Sequence, residues 1–274
     1  MLAALLFGAL SASADTATDT PADTEPTTQS EENQPYKVFQ PDNPPWGDEE
    51  TDSGFIVEIV HTAFNRAGIP HEFVYAPWKR EQAAVQQNGR AFMAPLTRLE
   101  AREPLYRWVA PVNISFLQLV TRDRSLVSLP LDALTKLPIA ARMESPAQFS
   151  AQSLGFSDIT LVEDEMVGAR LMMANRVTLW MQRGLPGVWA YEQSGGNADE
   201  LIVLKSWPTP QQYLVASLDV PLAVTEKLAA ILTEMRLSGE IDQIKQSYFK
   251  APLRCDLLFT CTKPVVQPEK PIQP

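Results

Sequence analysis

The sequence predicts an α/β fold in two lobes, each a mainly parallel sheet flanked by helices. Three observations carry this. Short apolar runs bounded by turn residues alternate with segments of helical spacing, the pattern of parallel strands joined by crossover helices. The 274 residues can bury one large core or two medium ones, and the two-lobed option suits that length. A content of 45% hydrophobic and 20% charged residues describes a folded chain rather than a disordered one.

The elements follow in order. Tyr36-Lys37-Val38-Phe39-Gln40 reads as a first strand, and the proline pair in Pro41-Asp42-Asn43-Pro44-Pro45-Trp46 makes a stiff loop after it. Phe55, Ile59, Ala63 and Ala67 then recur at helical spacing, with Ile56, Val60 and Phe64 beside them and Gly68 as the stop. Glu72–Tyr75 is the next strand, completing a right-handed β-α-β unit. A helix starts in Ala76-Pro77-Trp78-Lys79-Arg80 and ends at Gly89, and Phe92–Leu96 is a buried strand. Further strands are expected at Ile114–Thr121, Ile139–Ala141, Ile159–Val162, Val177–Trp180, Leu201–Leu204 and Tyr213–Ser217. Helices are expected at Ala147–Leu154, Met166–Ala174, Ala223–Leu237 and Ile241–Phe249, and alternation continues through Gly184–Trp189 and Ala198.

Composition narrows the function. The net charge is −10, of which Asp15, Asp19, Asp23, Glu25, Glu31 and Glu32 supply six charges before the first cation, Lys37, leaving about −4 for the rest. No basic stripe suits a phosphate backbone, so no nucleic-acid partner is expected. Residues 2–14 read as the apolar core of a secretory signal, too short to span a bilayer, with Ala12-Ser13-Ala14 as cleavage site. The missing basic stretch before it points to a start upstream of Met1, and Asp15 after the cleavage site argues against a lipid anchor. Residues 15–35 read as an acidic flexible linker and 263–274 as a loose proline-rich tail. Cys255 and Cys261 are expected to close one small-loop disulfide in an exported chain; the Cys-x-x-Cys spacing of a redox pair is absent. His61 and His71 are not expected to form a metal pair, and the Glu163-Asp164-Glu165 run reads as a solvated loop or helix start. No metal site, cofactor or catalytic constellation is read from the sequence, which favours binding over catalysis.

The most informative stretch is Phe92–Glu103. The strand stops at Thr97, and Thr97 with Glu100 fits a capping box that would open a short helix. Amides at a helix start attract carboxylates, and Arg98 and Arg102, four apart, could add a bidentate fork. Spacing alone favours the plainer alternative, a capped helix whose arginines pair with Glu100 and Glu103.

Thr97 five residues before Arg102, followed by Tyr106-Arg107-Trp108-Val109-Ala110-Pro111, resembles the ligand-gripping turn of bacterial extracellular solute-binding proteins of family 3. These are the receptors of polar amino-acid ABC importers. The resemblance is specific at 92–111, moderate at 54–80 and weak beyond. It implies a type II periplasmic binding fold with two hinge crossings: lobe 1 at 36–115 and 211–262, lobe 2 at 116–210. It also implies a periplasmic, monomeric receptor that captures a small polar or anionic solute and serves an ABC permease. Arg102 would clasp a ligand carboxylate with help from Thr97, and Trp46, an aromatic after proline, would form a platform. Trp78, in a Pro-Trp-Lys-Arg string shared with part of the family, could also look into the cleft.

Two family contacts are altered in lobe 2. Of its small hydroxyl-bearing turn only Ser145 survives, in Arg142-Met143-Glu144-Ser145-Pro146. Where the family carries an aspartate for the ligand's ammonium, this chain reads Thr178–Arg183 without a carboxylate. A buried ammonium without a counter-charge is costly, so the expected ligand is a carboxylate or other polar anion held by Thr97, Arg102 and Arg142 or Arg183. The rival readings are a periplasmic dehydratase of cyclohexadienyl acids, with Glu144 as its proton-transfer group, and an orphan sensor.

Overall fold

The computed structural model describes residues 34–87, 89–250 and 252. The expected signal segment, most of the acidic linker, Cys255, Cys261 and the proline-rich tail lie outside them.

In chain order the elements are β1 (Tyr36–Gln40), α1 (Phe55–Ala67), β2 (His71–Tyr75), α2 (Trp78–Gln87), β3 (Ala91–Thr97), β4 (Arg107–Asn113) and β5 (Phe116–Thr121). Then come α3 (Leu131–Leu134), β6 (Ile139–Arg142), α4 (Pro146–Ser153), β7 (Ile159–Val162), α5 (Glu165–Met173), β8 (Leu179–Gln182) and α6 (Leu185–Gln193). The described part ends with β9 (Ile202–Pro208), β10 (Gln212–Ala216), α7 (Leu222–Leu237) and α8 (Glu240–Ser247).

Two five-stranded sheets result, ordered β2-β1-β3-β10-β4 and β7-β6-β8-β5-β9. In the first, β1 pairs parallel with β2 and β3, while β10 runs antiparallel to both β3 and β4. In the second, β6 pairs parallel with β7 and β8, while β5 runs antiparallel to both β8 and β9. Four strands of each sheet therefore point the same way, and the exception is a strand the chain uses to change sheets. β5 carries it into the second sheet; β10 carries it back.

The two crossings are fastened to each other. Thr209 donates both its amide and its hydroxyl to the Ser115 carbonyl, at 3.1 and 2.8 Å. The buried Asn113 side chain donates to the Gln212 amide oxygen at 2.7 Å. A third tie follows α8, where the Lys250 amide donates to the Glu192 carboxylate at 3.1 Å and its ammonium to the Glu192 carbonyl at 2.8 Å.

The cores follow the apolar pattern. α1 buries Phe55, Ile56, Ile59, Val60, Ala63 and Phe64 completely against β3, β4 and α7. It stops where expected, because Gly68 takes a left-handed turn (φ 63°) that costs glycine little and returns its amide to the Asn65 and Phe64 carbonyls. Around β6, the buried Ile139, Ala141, Ala147, Leu179 and Met181 form one core of the second lobe, while Val120, Ala140, Trp180 and Tyr191 belong to the larger cluster shared with the first.

Three elements differ from expectation. β8 begins at Leu179 rather than Val177, because the Thr178 and Leu179 amides are both drawn to the Pro138 carbonyl. The segment after Gly184 is a full helix, α6, buried on almost every side and so without the polar face that reveals a surface helix. The capping box at Thr97 does not form: Thr97 stays in β3 opposite Gln212, and a 3-10 turn spans Glu100–Leu105 without a side-chain cap. Pro104 within that turn has no amide to extend it into an α-helix.

Candidate functional site

In open α/β sheets ligands bind outside the carboxyl ends of the strands. The sequence-predicted site residues sit at those ends in both sheets: Trp46 after β1, Trp78 after β2, Thr97 to Arg102 after β3, Arg142 and Ser145 after β6, and Arg183 after β8. The two sets meet. The Arg183 guanidinium of the second lobe stands 4.7 Å from the centre of the Trp46 ring of the first.

The Trp46 loop is held by the start of α1, whose first amides have no intrahelical acceptors. Phe55 donates to the Pro45 carbonyl at 2.9 Å and Ile56 to the Trp46 carbonyl at 3.1 Å. From β1, the fully buried Gln40 side chain adds a bond to the same Trp46 carbonyl at 3.3 Å. Gly54 permits this approach, since a Cβ there would lie 2.4 Å from the Trp46 oxygen. Trp46 is thereby buried and its indole is presented to Arg183.

After β3 the two arginines part company. Arg98 pairs with Glu103 at 2.7 Å, both side chains 42% exposed, and lies over the rings of Trp108 and Tyr213 at 5.3 and 5.1 Å. Its fork is taken on a solvated face. Arg102 is half-buried, donates once to the Thr97 carbonyl at 3.0 Å, and stands 5.9 Å from the Trp78 ring. Trp78 itself is 36% exposed at the first position of α2.

In the second lobe Ser145 is buried and occupied by its own turn: its hydroxyl donates to the Arg142 carbonyl at 2.6 Å and accepts from the Ala147 amide at 3.2 Å, capping α4. Glu144 is exposed, in a left-handed conformation (φ 52°), and its amide bonds the Gln148 side chain. The Arg183–Gly184 turn relies on glycine, whose φ of 55° and ψ of −120° no side chain tolerates well.

One residue of this site escaped sequence reasoning. Glu165, the last residue of the acidic run, is buried, whereas Glu163 stays exposed and Asp164 caps α5 by accepting from Val167 at 2.8 Å. Burial pushes the Glu165 carboxyl up to about 7, with Arg183 and then Arg142 drawing it back, Asp164 adding to the rise and the Trp180 indole opposing it. Burial lowers the pKa of Arg183 itself, with Glu165 opposing and Arg142 adding to the fall. The segment Thr178–Arg183 holds no carboxylate, as expected, and the carboxyl that acts on Arg183 is supplied by α5 instead. Arg183 and Arg142 are the two cations that act on this carboxyl.

Beneath the cluster, Gln182 of β8 donates to Gln118 of β5 at 2.9 Å, both fully buried. A separate open depression of about 410 Å³ is lined by Arg122, Arg124, Asn175 and Glu200. It begins at the carboxyl end of β5, the reversed strand, and so at the opposite rim of the sheet. Arg122 there is occupied by Glu200 at 3.1 Å and the Met173 carbonyl at 3.1 Å. Among the described residues no group of three or more His, Cys, Asp or Glu side chains could hold a metal ion, and no helix is long and apolar enough to cross a membrane.

Two sheets with reversed crossing strands and facing carboxyl ends define a two-lobed periplasmic binding protein fold. The chain belongs to the bacterial extracellular solute-binding proteins, family 3, whose model matches residues 37–251. Solved structures with the same fold include the second substrate-binding domain of GlnP from Lactococcus lactis in open conformation. That match has 17% identity over 80% of this chain and 96% of that one, with a TM-score of 0.65. The unliganded, open L-cystine solute receptor of Neisseria gonorrhoeae is similar at 15% identity over 81% and 95%, TM-score 0.64. A histidine kinase sensor domain with similarity to periplasmic binding proteins matches at 16% identity over 80% and 98%, TM-score 0.59. No curated protein sequence matches the chain.

Proposed function

We propose that this protein is an exported receptor that captures a small anionic solute between its lobes and presents it to an ABC permease. The lobe limits are 36–115 with 211–262, and 116–210. The observation that carries the reading is the Arg183 guanidinium 4.7 Å from the centre of the Trp46 ring across the cleft, with Glu165 and Arg142 as the charged groups that act on Arg183. Arg102, with most of its fork unspent on protein acceptors among the described residues, clasps a carboxylate beside Thr97 from the first lobe. Arg142 and Arg183 meet the ligand from the second, and Trp46 and Trp78 cover its apolar part. Such a ligand touches both lobes only when they are closed, and so shifts the population toward that state. A free ammonium would compete with Arg183 for Glu165, which disfavours amino acids as ligands.

The experiment is a thermal-shift series with succinate, glutarate and citrate against glutamate and arginine, backed by mass spectrometry of small molecules released on unfolding. Stabilisation by carboxylates that Arg102→Ala abolishes supports the proposal; a strict requirement for an α-amino group defeats it.

One observation favours a second reading. Glu165 has a buried carboxyl raised to about 7, the range in which a general acid–base group works at neutral pH. It displaces Glu144, which is exposed, as the proton-transfer group of a dehydratase-like enzyme. Turnover of a cyclohexadienyl carboxylic acid, lost in Glu165→Gln, would select that reading over the receptor.

A further inference from the structure

The two histidines of the sequence, ten residues apart in different elements, come together at the edge of the first sheet. Nδ1 of His61, on α1, lies 2.9 Å from Nε2 of His71, at the start of β2. The other ring nitrogen of His71, Nδ1, lies 3.1 Å from the Ile69 carbonyl oxygen. A carbonyl only accepts, so Nδ1 of His71 carries the proton and Nε2 accepts a hydrogen bond from Nδ1 of His61, whose proton a bound ion would displace to solvent or to the other nitrogen of that ring. This backbone partner is the kind that orients metal-binding imidazoles. The separation also fits, since two nitrogens about 2.1 Å from one ion at angles between square and tetrahedral lie roughly 2.9–3.4 Å apart.

The surroundings hold the geometry. Phe64, fully buried on α1, stands 4.8 Å from the His71 ring, and Phe73 stands 5.7 Å from it, nearly perpendicular. His71 is half-buried while His61 is exposed, so the pair is open on one side for water or a further ligand.

We propose that His61 and His71 form a two-imidazole site for a borderline divalent transition ion, with copper(II) bound most tightly and nickel and zinc more weakly. Solvent completes the coordination sphere. The bound ion pins α1 to the edge strand β2, away from the cleft. A β-α-β crossover lays the helix over its own following strand, which is how two residues ten apart come to face each other.

The test is copper(II) titration of the purified, untagged full chain, followed by calorimetry and electron paramagnetic resonance. Because the chain contains only two histidines, two imidazole nitrogen couplings can come from this pair alone. One ion per chain with that signature is expected. His61→Ala and His71→Ala should each weaken binding about tenfold or more and remove the two-nitrogen pattern. His61 is exposed, so its variant folds, and the metal-induced rise in melting temperature should vanish there. A single-nitrogen spectrum, undiminished affinity in His61→Ala, or no binding below about 100 µM, short of what even a modest site gives, would overturn the site.

Discussion

Replacing Arg183 with Met tests whether the lobes are held together by a cation on an indole. Met keeps an apolar stem of similar reach, so contact area with Trp46 changes little while the charge disappears. Glu165 then loses the stronger of its two arginine neighbours, and its carboxyl, already raised to about 7, rises further and stays protonated at neutral pH. No unpaired charge is left behind, and the variant should fold. What remains is the loss of the cation–π contact at 4.7 Å. For a guanidinium largely withdrawn from water that is worth about 1–2 kcal/mol, or roughly a five- to thirtyfold fall in the closed-to-open ratio. Small-angle scattering of the ligand-free protein should report a larger radius of gyration for Arg183→Met than for the parent. Trp46→Phe should expand it less, and the double variant should expand it by less than the sum, as coupled partners do. Superimposable scattering from parent and Arg183→Met would refute the argument.

The two arginines of the 98–102 stretch should separate cleanly. Arg98→Ala removes an exposed pair and should cost no more than about 1 kcal/mol of stability and nothing in solute affinity, whereas Arg102→Ala should abolish the carboxylate-induced thermal shift. Equal loss of binding in both would sink the distinction. Glu81, fully buried in the first turn of α2, is pushed by burial from 4.5 up to about 8, with the Ala76 amide opposing. Between those values the native state holds a proton that the unfolded chain has released, so stability falls as pH rises through the window. Allowing for solvent screening, Glu81→Gln should recover roughly 2–3 kcal/mol at pH 8 and little at pH 4, read by urea unfolding at both. Gly187→Ala would place a Cβ 2.0 Å from the Gln182 amide oxygen, disturbing the Gln118–Gln182 pair under Arg183. A loss of about 1–3 kcal/mol is expected, and an unchanged melting curve would show that the pair yields freely.

Much of the fold was legible because its signals are local. The run Phe92–Leu96 is buried throughout, and Gly68 ends α1 where the stripe of apolar residues stops. α6 was harder, since Leu185, Val188, Ala190 and Tyr191 bury different sides of one helix and leave no amphipathic period. The candidate residues Thr97, Arg102, Arg142 and Arg183 could be singled out because residue type and strand end coincide there. Glu165 sits in an acidic run whose first two members behave as expected, and nothing in the order Glu-Asp-Glu tells which carboxyl turns inward. The His61–His71 contact was hidden for a related reason: it depends on how a helix crosses a strand, not on spacing along the chain.

The reversed strands explain why a site with such scattered origins is a single site. β5 and β10 enter their sheets against the direction of the other four strands, so each crossing leaves one sheet at the rim where the parallel strands have their carboxyl ends. The crossings, fastened through Ser115 with Thr209 and Asn113 with Gln212, therefore lie at the floor of the space those rims enclose. Thr97 stands opposite Gln212, at the first residue of the returning strand. Opening about that floor would part Trp46 from Arg183, which belong to different lobes. On the proposed receptor reading, a solute held at Thr97 and Arg102 stays with the first lobe while the Trp46–Arg183 contact that seals it is made or broken.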